Sequence, residues 1–148
     1  VVNSYKRNGY VIQPKLNGDR GVLESTSSGL KLWNRYGSEY AASNVTLAEW
    51  SRLPVGVILD GEIEGGRFNP FEAIVDGSAQ MRINIARQYA KVWLFSPPSD
   101  EWLIEQAKSN ENIHTRRWEG VVCKLAIGKY EPLKTSSQDS PTWVKLKW

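Results

Sequence analysis

The chain has 148 residues, 41% apolar and 24% charged, a globular composition that suits one domain with a real core. Its 19 basic and 16 acidic residues leave a net charge of +3, a mild lean toward polyanions. A single Cys (Cys123) and a single His (His114, beside Arg116 and Arg117) exclude an internal disulfide framework and a Cys/His zinc site, and argue against a Ser-His-Asp triad.

A reducing compartment is the expectation from that cysteine usage. No apolar run approaches the ~18–20 residues of a membrane span, and no signal peptide is read. The Val1-Val2 start is compatible with a trimmed chain. Seven Trp is a high count, and flat polar ligands often stack on Trp.

Strand patterns dominate in chain order. Tyr10 to Pro14 is a short strand candidate. Gly21 to Ser25 and Leu30 to Asn34 alternate about Ser27-Ser28-Gly29 and read as a hairpin. Thr46-Leu47-Ala48-Glu49 has the capping-box form, and Leu47, Trp50 and Leu53 share one helical face. Val55 to Ile63 is a strongly apolar strand. Ser78 to Tyr89 is a helix candidate. Lys91 to Phe95 is a strand stopped by Pro97-Pro98, and Ser99-Asp100-Glu101 starts a helix to about Lys108. Val121 to Ile127 and Trp143 to Lys147 complete the strands. The mixture predicts an α+β domain with largely antiparallel sheets.

Neither a P-loop nor a Rossmann glycine motif occurs, so any nucleotide chemistry must use side chains. Gln13-Pro14-Lys15-Leu16-Asn17-Gly18-Asp19-Arg20 sets a Lys after a Pro-bearing strand, a Gly turn, and an Arg opening the next strand. A nucleophilic amine beside a phosphate clamp fits it; so does a solvated surface loop. In Leu59-Asp60-Gly61-Glu62-Ile63, strand alternation puts both carboxylates on one face and Gly61 leaves the other open. Two solvated acids at a strand end are the plain alternative. Trp118-Glu119-Gly120-Val121-Val122-Cys123-Lys124 leads an acid into an apolar strand, with Cys123 a small core hydrophobe. Trp143-Val144-Lys145-Leu146-Lys147 puts two ammonium groups on one face, suited to a phosphate or to the solvent side of an edge strand.

Each motif is weak alone, but their order is specific. Lys-x-x-Gly-x-Arg, Asp-Gly-Glu, an aromatic strand, Glu-Gly-Val-Val and Trp-x-Lys-x-Lys together resemble the covalent nucleotidyltransferase superfamily of DNA ligases, RNA ligases and mRNA capping enzymes. Within it the chain is most similar to the adenylation domain of an ATP-dependent DNA ligase, from about Tyr10 to Lys147. The resemblance implies a single ATP-grasp-like nucleotidyltransferase domain over residues 1–148, with antiparallel sheets flanked by helices and no OB-fold domain in this chain.

The resemblance also implies roles. Lys15 matches the nucleophile that becomes Lys-AMP. Gln13 sits where the family contacts adenine, and Phe95 matches the aromatic that stacks on the base. Arg20 and Glu62 match positions that hold the ribose. Arg35, in Asn34-Arg35-Tyr36-Gly37, matches the Arg that faces the phosphate or the nick. Glu119, with Glu62, matches the acids linked to Mg²⁺, and Lys145 and Lys147 match the pair at the α-phosphate. A lysine attacks only as the free amine, and nearby cations favour that form.

The implied partners are ATP, Mg²⁺ and nicked double-stranded DNA, with a monomer and no membrane expected. The implied setting is DNA repair, replication and recombination in the cytoplasm, with bacterial, phage and viral sources all compatible. The pattern departs from the family in Asn17 and Ser96, which replace common Asp residues, and in Lys134, near a frequent Arg. Glu119 follows Phe95 by only 24 positions, short for the family, so the domain is expected to be compact there. The OB-fold domain that ordinarily follows the Lys-x-Lys strand is an expected partner of the natural protein. RNA ligase, capping guanylyltransferase and a non-catalytic nucleic-acid-binding module remain the alternatives. The paired acids argue against the last, because a pure binder needs none.

Overall fold

The computed structural model describes residues 9–16, 18–40, 45–92, 118–128, 130 and 143–147. Seven strands lie among them in two antiparallel sheets: β1 (Tyr10–Leu16), β2 (Asp19–Thr26), β3 (Gly29–Trp33), β4 (Ile58–Glu64), β5 (Arg67–Ala73), β6 (Trp118–Leu125) and β7 (Trp143–Lys147). The three-stranded sheet has the order β1-β6-β7 and the four-stranded sheet the order β3-β2-β4-β5. The α+β expectation holds, with one α-helix among the described residues, α1 (Ala79–Ala86).

The β2–β3 hairpin forms as its alternation predicts, pairing Thr26 with Gly29 across the turn. Gly29 takes φ +123, open to glycine and strained for other residues. The apolar run at Val55 starts later than expected. Residues 55–57 belong to a turn in which the Val57 N–H donates to the Pro54 carbonyl and Gly56 takes φ +95. β6 likewise ends at Leu125, and Ala126-Ile127 turn.

The sequence reading missed β5, where Pro70 and the polar Asn69 and Glu72 hide the strand pattern. Position explains the tolerance: β5 is an edge strand among the described residues, and Pro70 faces Gly61 where the register shifts between Asp60 and Gly61. Its turn, Gly65-Gly66, has two positive φ values and is the one local hairpin signal.

The capping box at Thr46 is not realised. Only a 3-10 turn forms, Ala48–Trp50, with no side-chain cap. The Thr46 N–H donates instead to the Gly66 carbonyl, and Glu49 pairs with Arg67 at 2.9 Å. α1 is shorter than the expected Ser78–Tyr89, but Ser78 is its N-cap and accepts from the Met81 N–H. The Ala79 and Gln80 N–H groups donate to the Gly128 and Ala126 carbonyls, which ties the helix start to the turn after β6. The expected helix from Ser99 and most of the Lys91–Phe95 strand lie outside the described residues.

Leu23, Leu32, Leu59, Phe68, Ala73, Ile83 and Trp50 form the main core. Each large apolar side chain buried there contributes about 1.5–3 kcal/mol. Gly61 does not leave an open face as its sequence context suggests. The Phe68 ring and the Asn69 carbonyl fill the space a Cβ would need. Gly61→Ala is therefore expected to cost about 1–3 kcal/mol by overpacking. An unchanged denaturant midpoint would show that β5 yields freely.

Candidate active site

Several contacts among the described residues join the sheets. The Gln13 Nε2 of β1 donates to the Phe71 carbonyl of β5 at 3.0 Å. The Lys124 Nζ of β6 lies 3.6 Å from Glu72 of β5. The Arg20 guanidinium of β2 stacks on the Trp143 ring of β7, 4.6 Å from its centroid. Beside these contacts opens a cleft of about 430 Å³, within the usual size range of small-molecule sites.

Five residues singled out from the sequence line this cleft: Lys15, Arg20, Arg35, Glu62 and Lys145. Register explains the convergence. Lys15 pairs with Gly120, Val122 with both Gln13 and Lys145, and Arg20 with Glu62. Alternation then carries Lys15, Val122 and Lys145 to one face. Gly18 lets the β1–β2 connection pass close to β4, since a Cβ there would strike the Ile63 carbonyl oxygen.

Arg20 is held from two sides. Its Nε donates to Asp60 Oδ1 at 2.7 Å and its Nη2 to Asp60 Oδ2, while Asp60 also accepts from the Tyr130 hydroxyl at 2.9 Å. Asp60 is wholly buried and Arg20 keeps 16% exposure toward the cleft. Burial opposes the guanidinium charge, but Asp60 outweighs it and holds Arg20 firmly protonated. Asp60 is thus a structural acid and Glu62, two residues on, a cleft acid, a division that spacing alone does not reveal.

Arg35 sits in an Asx turn. Asn34 Oδ1 accepts from the Tyr36 and Ser38 N–H groups, both at 2.9 Å, and Gly37 takes φ +83. Tyr40 donates its hydroxyl to the Arg20 carbonyl at 3.1 Å. Partial burial raises the Tyr40 phenol above its ordinary range, helped by Asp19 and Glu62 and opposed by Arg35.

The other expected residues are placed differently. Gln13 is only 2% exposed and packs behind the cleft against β5. Glu119 falls at a bulge, where β1 steps from Gly120 to Trp118 between Lys15 and Leu16; bulges often adjoin active sites. Lys147 pairs with Gly120 in β7. Phe95, Asn17, Ser96 and Lys134 lie outside the described residues. Cys123 is buried, and burial pushes its thiol up to about 11, as suits a core hydrophobe.

Sequence reasoning missed Asp19, Tyr40 and Phe71, which also line the cleft. It also missed the buried group of Lys124, Glu72 and Arg82. A lysine inside the apolar run Val121–Leu125 was the available signal, since a charge embedded there needs a partner.

The cleft suits a polyanion with an aromatic portion, because four cations and the rings of Phe71, Trp143, Tyr36 and Tyr40 surround it. Among the described residues no group of three or more His, Cys, Asp or Glu could hold a metal ion. Glu62 and Asp19 do offer carboxylate oxygens, and Mg²⁺ commonly binds through one or two carboxylates, water and phosphate oxygens. No helix among the described residues is long and apolar enough to cross a membrane.

No protein-family model matches the sequence, and no curated protein matches it. Solved structures do. The chain is similar to a Lig E DNA ligase analysed for DNA binding with a minimal scaffold, at 20% identity and TM-score 0.66, covering 95% of this chain and 62% of that one. It is similar to the ligase domain of M. tuberculosis LigD at 18% identity and TM-score 0.68, covering 93% of this chain and 53% of that one. A mycobacterial DNA ligase D complexed with ATP and MES matches at 18% identity and TM-score 0.64, covering 93% and 54%. The chain thus spans between about half and three fifths of those chains. Two antiparallel sheets flanking a cationic cleft, superposable over nearly all of this chain, give it the fold of a DNA ligase nucleotidyltransferase domain.

Proposed function

We propose that this chain is the adenylation domain of an ATP-dependent DNA ligase, with Lys15 as its nucleophile. The observation that carries the reading is the meeting of Lys15, Arg20, Arg35, Glu62 and Lys145 in one cleft. These residues come from separate strands and a loop, and a solvated surface lysine would need no such company.

In this reading the Lys15 amine attacks the ATP α-phosphorus. The bond to the β-phosphate oxygen breaks, pyrophosphate leaves, the amine loses a proton and a Lys15-AMP phosphoramide remains. Lys145, with Lys147, offsets charge on the α-phosphate as the leaving group departs. Arg20, fixed by Asp60 and Trp143, and Glu62 orient the ribose. Phe95 stacks on the adenine, and Gln13 acts on the cleft only through the Phe71 carbonyl to which it donates. A DNA 5′-phosphate oxygen then takes the AMP and frees Lys15. Last, a 3′-hydroxyl attacks that phosphate, releases AMP and seals the nick. Glu62 and Glu119 would hold Mg²⁺, which when bound neutralises phosphate charge.

Incubation with α-labelled ATP or GTP and Mg²⁺, followed by a denaturing gel, tests the reading. ATP is expected to leave acid-labile label on the protein, and nicked duplex DNA is expected to discharge it. Label from GTP alone would favour a capping activity, and discharge only by nicked RNA an RNA ligase. A gel shift with DNA but no label from either nucleotide would favour a binding module.

A further inference from the structure

Beside the cleft lies a layer of five charged side chains, four of them buried. Arg20 pairs with Asp60, and Arg82 Nε donates to Glu72 Oε2 at 3.1 Å. Arg82 Nη1 also donates to the Gly77 and Gly128 carbonyls, at 2.6 and 2.9 Å. These two pairs balance. The fifth side chain, Lys124, is the surplus cation among the described residues. It is 1% exposed, its Nζ lies 3.6 Å from Glu72 Oε1, and it makes no hydrogen bond.

Lys124 rests instead on two aromatic faces, 4.0 Å from the Trp143 centroid and 5.2 Å from that of Phe71. Cation–π contact offsets only part of the cost of drying an ammonium. The same two rings also line the cleft. Lys124 therefore shares two rings with the space a polyphosphate would fill, and an anion there adds to the counter-charge of Glu72.

We propose that Lys124 is a buried charge acting on the cleft through Trp143 and Phe71, which takes up a proton when a polyphosphate binds and so ties nucleotide affinity to pH. This rests on the nucleotide reading of the cleft. The charged groups facing Lys124 are Glu72 of β5, Asp60 of β4, Arg20 of β2 and Arg82 of α1; β7 presents Trp143. Burial lowers the Lys124 ammonium from 10.5 to about 8, Glu72 and Asp60 oppose this, and Arg20 and Arg82 add to it. The free protein thus holds Lys124 part-neutral at mildly alkaline pH, and a bound anion favours the charged form.

Calorimetric titration with α,β-methylene-ATP and Mg²⁺, in buffers of different ionisation enthalpy, reads the protons taken up. If the anion raises the group by about one unit, uptake is on the order of half a proton, centred slightly above pH 8. Affinity then weakens about tenfold from pH 7 to pH 10. Lys124→Met keeps the two matched pairs and is expected to fold, bind and show no such uptake. In the wild type, a Cε-labelled lysine resonance titrating near pH 8 should move to higher pH on adding the analogue, a readout needing no variant. Binding without proton uptake, or uptake equal in Lys124→Met, overturns this inference and leaves the nucleotide reading standing. Failure of the analogue to bind at any pH overturns both.

Discussion

Lys15→Ala is expected to abolish covalent labelling by α-labelled ATP, a loss of at least ~10³-fold, since removing an attacking group removes the reaction it begins. The fold should survive. Lys15 is only half-buried, stands near the end of β1, and its strand pairing runs through backbone groups. Lys15→Arg should fail as well, because a guanidinium stays protonated and offers no lone pair for attack. Matching circular dichroism melts with no label in either variant would be the expected pair of results. Equal labelling of Lys15→Ala would move the nucleophile elsewhere, and Lys145, in the same cleft, would be the next residue to test.

Asp60→Ala is expected to cost about 3–5 kcal/mol of folding stability, the usual penalty for stripping one partner from a buried ion pair. Asp60 accepts from the Arg20 Nε and Nη2 and from the Tyr130 hydroxyl, so three donors lose their acceptor at once. Against a typical stability of about 5–15 kcal/mol, such a loss approaches unfolding. Asp60→Asn keeps an oxygen for one donor and should cost less. That variant should also raise the KM for ATP in labelling, because Arg20 loses the bidentate grip that aims it. Urea denaturation at neutral pH measures the first effect. A loss under about 1 kcal/mol would mean that the pair behaves as a solvated surface bridge.

The local elements were legible because short-range chemistry determines them. The β2–β3 hairpin needed only alternation and Ser27-Ser28-Gly29, and the Ser78 cap needed only its own N–H neighbours. β7 appeared with its bounds correct, since Val144, Lys145, Leu146 and Lys147 alternate cleanly in the sequence. The five cleft residues were also legible, but only through the order of their motifs; no single motif separates an active-site lysine from a surface one.

Tertiary structure decided the rest. β5 exists because β4 pairs with it and the register shift at Gly61 accommodates Pro70, facts absent from its own seven residues. The capping box at Thr46 lost to a long-range bond, the Thr46 N–H turning to Gly66. Asp60 and Glu62 look alike in sequence, yet Arg20 and Tyr130 bury one while the cleft takes the other. Lys124 shows the reason most plainly. An ammonium in an apolar strand is affordable only where Glu72, Trp143 and Phe71 arrive from two other strands, and nothing local to Lys124 specifies their arrival.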